Sequence, residues 1–176
     1  LMLDGLQGTD NRERNDMGPV WGAMSKAHQE WLVEELKRLS KPTFLASHFT
    51  IGNTHVLGEM DLMGAPLSKA MLKSPMVPGY IFGHAHRWYQ EWFHDGWGEN
   101  ARALRTCCLP STGHWGDIGY AVFRARSGYA QLELFQDDYF FPAPVDPSNP
   151  RARAERPQAW DDIVAENRGR VTHWRW

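Results

Sequence analysis

The sequence has only 2 cysteines among 176 residues, and they are neighbours, Cys107 and Cys108. Adjacent cysteines cannot close the loops that staple a small secreted fold, so a disulfide scaffold is excluded and a reducing, cytoplasm-like compartment is favoured. Long hydrophobic runs are missing too, since no stretch approaches the roughly 18 apolar residues that a membrane span needs. Nor does one charge dominate. There are 19 Lys and Arg against 21 Asp and Glu, for a net charge of -2. That balance gives no nucleic-acid signature and no broad attraction to an anionic membrane. The opening Leu1-Met2-Leu3-Asp4 shows no initiator Met and no basic-then-apolar leader, and Leu1 to Leu3 read as a buried strand. The N-terminus is therefore expected to be cut.

What is present is the composition of a packed domain. Apolar residues are 42% and charged residues 23%, near the averages for globular chains and far from those of disordered ones. Ser25 can cap a helix whose Ala27, Trp31, Leu32, Leu36 and Leu39 recur at helical spacing. Thr43 to Ser47 is an apolar run of strand length, as in a strand covered on both faces. A shorter helix is predicted over 66–73, and Tyr80-Ile81-Phe82 reads as another buried strand. Four further strands are predicted over 88–95, 101–109, 120–125 and 129–135, separated by turn residues such as Ser127-Gly128 and read as an antiparallel meander. Beyond them, Pro142, Pro144, Pro147 and Pro150 mark a linker, followed by a short helix over 158–167. The arginines that follow Pro150 suggest a solvated tail. The fold class expected is α/β (α+β).

Three histidines stand where strands end. His48 follows the run 43–47, and His84 and His86 lie in Gly83-His84-Ala85-His86 after the strand at 80–82. The carboxyl ends of strands in an open α/β sheet line the binding crevice, so the three imidazoles are expected at one edge. Imidazole is the commonest protein ligand for first-row divalent metals, and Gly83 is expected to supply the sharp turn. A lone histidine after a strand is more often structural than a ligand; the Gly-His-x-His pair is the stronger signal. His114-Trp115, in the glycine-bracketed segment 113–119, is a candidate for presenting a ring to substrate, although a packed turn is the plainer reading.

The ordered set of the Gln29-Glu30-Trp31-Leu32 helix, a strand ending in His48 and a strand ending in Gly83-His84-Ala85-His86 resembles the C-terminal half of the calcineurin-like metallophosphoesterases. The resemblance covers residues 1–136, leaving 137–176 as linker and tail. It implies part of a β-sandwich flanked by helices, with the N-terminal half absent, and a two-metal site of Mn, Fe or Zn. His48 and His84 would ligate one metal and His86 the other, and the paired cations would clamp a phosphate ester and acidify the attacking water. The substrate would be a phosphomonoester or phosphodiester.

The family's carboxylate-bearing motifs are absent. Asp4-Gly5-Leu6 lacks the second ligand, Gly116-Asp117-Ile118-Gly119-Tyr120 has Tyr where Asp is needed, and Gly52-Asn53-Thr54-His55 falls after His48 instead of before it. No catalytic residue is therefore expected within the chain, which is read as an inactive fragment of the enzyme. Three imidazoles alone cannot neutralise two divalent cations, so it would bind at most one metal, and weakly. The rival reading is a non-catalytic, aromatic-rich β module, for example one that binds carbohydrate, in which the histidines are structural. Its support is the 9 Trp residues.

Overall fold

The computed structural model describes residues 2–3, 26–48, 64–94, 103–112, 115–140 and 158–176. These form a mixed α+β fold that divides into two compact units. The first comprises Leu1–His84, Tyr89–Cys108 and Trp176, and the second comprises Ala85–Trp88 and Leu109–Arg175. Among the described residues no helix is long and apolar enough to cross a membrane.

In the first unit the elements follow as β1 (Met2–Leu3), α1 (Lys26–Arg38), β2 (Leu45–Ser47), α2 (Gly64–Lys73), β3 (Gly79–Phe82), β4 (Tyr89–His94) and β5 (Ala103–Cys108). The sheet order is β1-β2-β3-β5-β4. β1, β2, β3 and β5 run parallel, and only β4 is antiparallel, at the edge. Helix-containing connections between β1, β2 and β3 are what parallel pairing requires. α1 buries Leu32 and Leu36, four residues apart and so on one face. Glu34 and Glu35 pair with Lys37 and Arg38 on its exposed side, and these two cations also suit the negative end of the helix dipole. Trp31, expected in the core, is 47% exposed. In α2, Pro66 lies in the first turn, where no intrahelical N–H bond is lost. Met71 and Leu72 of α2, Leu45, Tyr80, Phe82 and Leu104 are all buried. Cys107 and Cys108 are both buried and form no disulfide with each other.

The second unit is a three-stranded antiparallel sheet of β6 (Gly116–Arg126), β7 (Tyr129–Phe140) and β8 (Val171–Arg175), with α3 (Gln158–Asn167) beside it. Strand alternation sorts β7 cleanly. Ala130, Leu132, Leu134 and Gln136 are buried, as are Thr172 and Trp174 on β8. The outer face carries exposed residues such as Tyr120, stacked on Phe135 with centroids 5.1 Å apart. Trp160 of α3 meets Tyr139 and Phe140 edge-on.

The C-terminal half departs from the sequence-based expectation in its strand pairing and in its last segment. The predicted strands of the C-terminal half exist, but they do not form one meander. β4 and β5 pair as a hairpin whose second strand joins β3 in parallel, whereas β6 and β7 begin a separate sheet. The region expected to be a solvated tail contains β8, paired with β7 from Tyr129↔Arg175 to Glu133↔Val171. Thr172 and Trp174, two apart, give this strand a buried side despite its flanking arginines. The cap at Ser25 and the Pro-rich linker at 141–150 lie outside the described residues.

Candidate metal centre

Parallel pairing of β2 with β3 sets the first two histidines side by side. The register Leu45↔Tyr80 and Ala46↔Ile81 places His48 opposite Gly83, one residue before His84. The ladder continues past the strand ends, with the Gly83 N–H donating to the His48 carbonyl at 3.1 Å. The Cys108 thiol, at the end of β5, donates to the Gly83 carbonyl at 3.2 Å. Both polar groups of the Gly83 peptide backbone are thereby tied to neighbouring strand ends.

His84 Nδ1 lies 3.2 Å from His48 Nε2, with ring centroids 5.2 Å apart and planes inclined by 75°. Two nitrogens held at about 2.0–2.1 Å by a tetrahedral zinc stand roughly 3.3 Å apart, so the pair fits shared ligation of one ion. An imidazole N–H donating to the other ring's lone pair fits the same distance. Although His48 is exposed by area, its neighbours partly desolvate the ring and push its pKa below the ordinary value. The neutral form, which carries the lone pair that ligation needs, is thus favoured.

The sharp turn is not made by Gly83. Left-handed backbone falls instead on His84 (φ 66°) and His86 (φ 52°), a conformation rare for residues with a side chain. Such strain persists where the surroundings over-determine it and clusters at functional sites.

His86 belongs to the second unit. Its ring meets Trp115 with centroids 4.4 Å apart, which brings together two of the residues singled out from the sequence. His114 lies outside the described residues. Among the described residues, no group of three or more His, Cys, Asp or Glu side chains is placed to hold a metal ion. His48 and His84 are therefore seen as a pair of donors, with no carboxylate joining them among those residues.

Asp117 has a role that its sequence motif does not reveal. It is 3% exposed. Its carboxylate accepts hydrogen bonds from the Trp88 N–H and from Gln136 Nε2, the latter at 3.0 Å. Its own N–H donates to the His86 carbonyl at 2.8 Å, and its carbonyl accepts from the Ser111 N–H at 2.8 Å. Burial raises its pKa, while the two carboxylate hydrogen bonds act the other way. The only sequence signal for this role is a Gly-Asp pair entering a strand.

No protein-family model matches the chain, and no curated protein matches it.

Proposed function

We propose that the chain supplies the histidine side of a dinuclear metal-dependent phosphoesterase, with His48 and His84 holding one ion and His86 serving the second. The observation that carries this reading is the 3.2 Å approach of two imidazole nitrogens at the carboxyl ends of adjacent parallel strands. Such strand ends are where open α/β sheets build ligand sites. Divalent cations bound there would polarise a phosphoryl oxygen and acidify a water for in-line attack. The chain's own part is to keep the His48 imidazole neutral and the His48–His84 pair aimed. Desolvation does the first for His48, and the backbone ties at Gly83 do the second for the His48–His84 pair. Trp115, against the His86 ring, and His114 are the proposed substrate contacts. The carboxylates that would balance the cationic charge come from outside the motifs present.

The test is hydrolysis of an aryl phosphate monoester and of the corresponding diester by the protein expressed with whatever its gene places before Leu1. Activity should require added Mn²⁺ or Zn²⁺. It should fall at least about a hundredfold in His84→Ala, since loss of a ligand's supporting partner alone already costs about 10 to 100-fold. Hydrolysis that survives both chelation and His84→Ala would contradict the proposal.

A further inference from the structure

We infer that Asp117 is a positioning residue for His86, and that Trp115, Gly116 and Asp117 together form a jig that fixes the direction of its imidazole. This rests on the metal-centre reading only for what the imidazole is used for; the positioning itself follows from contacts within the second unit.

A left-handed residue bearing a side chain reverts to an ordinary conformation unless its neighbours prevent it. At His86 three consecutive residues do so. The Asp117 N–H donates to the His86 carbonyl, and the Asp117 carboxylate accepts the N–H of Trp88, two residues further on. One residue thus grips the turn on both sides of Arg87. Gly116 lets the two segments approach so closely that a Cβ there would lie 2.0 Å from the His86 carbonyl oxygen. Trp115 packs against the ring itself. Asp117 is anchored in turn, through Gln136 on the buried face of β7 and Ser111 before β6. All four of its hydrogen-bonding groups are engaged, so its geometry is set by the sheet and passed to His86.

Asp117→Ala removes both carboxylate contacts. Asp117→Asn keeps one acceptor for Trp88, and Gln136 can turn its amide to accept from the new NH₂ group at the loss of its 3.2 Å bond to the Asp138 carbonyl, so this variant should restore the wild-type behaviour in part. Leu132→Ala, a core change on the same β7, serves as a control for general loss of stability, with all variants measured at a temperature where they remain folded. In Asp117→Ala the His86 ring resonances should shift and exchange at the Trp88 amide should speed up, and the affinity for Mn²⁺ should drop about 10 to 100-fold. Leu132→Ala should reproduce none of these.

His86→Ala, measured in parallel, separates the two layers of inference. If it leaves Mn²⁺ affinity unchanged while Asp117→Ala still moves the ring, the metal role of His86 fails and the positioning role stands. A folded Asp117→Ala whose His86 resonances and Trp88 exchange match the wild type overturns the positioning role. So does a Leu132→Ala control that shows the same changes.

Discussion

Replacing Gly116 by alanine is expected to destabilise the second unit by about 3 kcal/mol or more, because a backbone penalty and a collision act together. At φ +87° the residue sits where an L side chain is strained, which alone costs about 1–2 kcal/mol. The added Cβ would also fall 2.0 Å from the His86 carbonyl oxygen and 3.0 Å from its carbon, both of them backbone atoms that cannot swing aside. Gly169 separates the two contributions. It is also left-handed, at φ +76°, but nothing lies within 4 Å of a Cβ placed there. Gly169→Ala should therefore lose only the backbone part, about 1–2 kcal/mol. Urea unfolding of both variants checks the difference, and equal losses would show that the close approach of Gly116 to His86 is wrong.

The second large effect is expected at Phe82, the last residue of β3. It is 2% exposed and packs with Tyr80 and Tyr89 at centroid distances of 6.1 and 5.7 Å. Phe82→Ala should cost about 3–5 kcal/mol through lost burial and an unfilled cavity. Phe82→Leu, which keeps much of the volume, should cost about 1.5 kcal/mol or less. Phe82 also carries Gly83 and His84 at its end of the strand, so the alanine variant should loosen the His48–His84 pair before the unit unfolds. A loss below about 1 kcal/mol for Phe82→Ala, read from denaturant midpoints, would mean that this side chain is not part of the core.

Those parts of the fold that depend on local pattern were legible in the residues. The spacing of Leu32 and Leu36 announces a helix, and the apolar runs before His48 and Gly83 announce buried strands that end at the histidines. Strand partnership was not legible. Ala103 to Cys108 has the composition of a strand whether it continues a meander or lies parallel to β3, and only tertiary packing selects the second. β8 was hidden for another reason. Arg170 and Arg175 give its surroundings the charge of a tail, while the alternation of Thr172 and Trp174 extends over too few residues to stand out.

At the candidate site, the position of each histidine at a strand end could be read from the order of residues, but the backbone conformation could not. Left-handed geometry is most simply assigned to a glycine, and Gly83 was available. The structure gives it to His84 and His86, and at His86 contacts from the segment that includes Asp117 hold the turn from outside. Gly116-Asp117-Ile118-Gly119-Tyr120 does not match the family's metal-ligand motif, and nothing else in the local sequence marks Asp117. Its actual partners, Trp88 and Gln136, are 29 and 19 residues away in sequence.

Metal content after dialysis against Zn²⁺ or Mn²⁺, measured on the wild-type chain and on His48→Ala, tests most directly whether the two facing imidazoles are ligands. The account predicts bound metal in the wild type and its loss in the variant, with the fold unchanged by circular dichroism. Equal metal content in the two, or none in the wild type even with the ion in excess, would show that the 3.2 Å contact is a hydrogen bond between structural histidines.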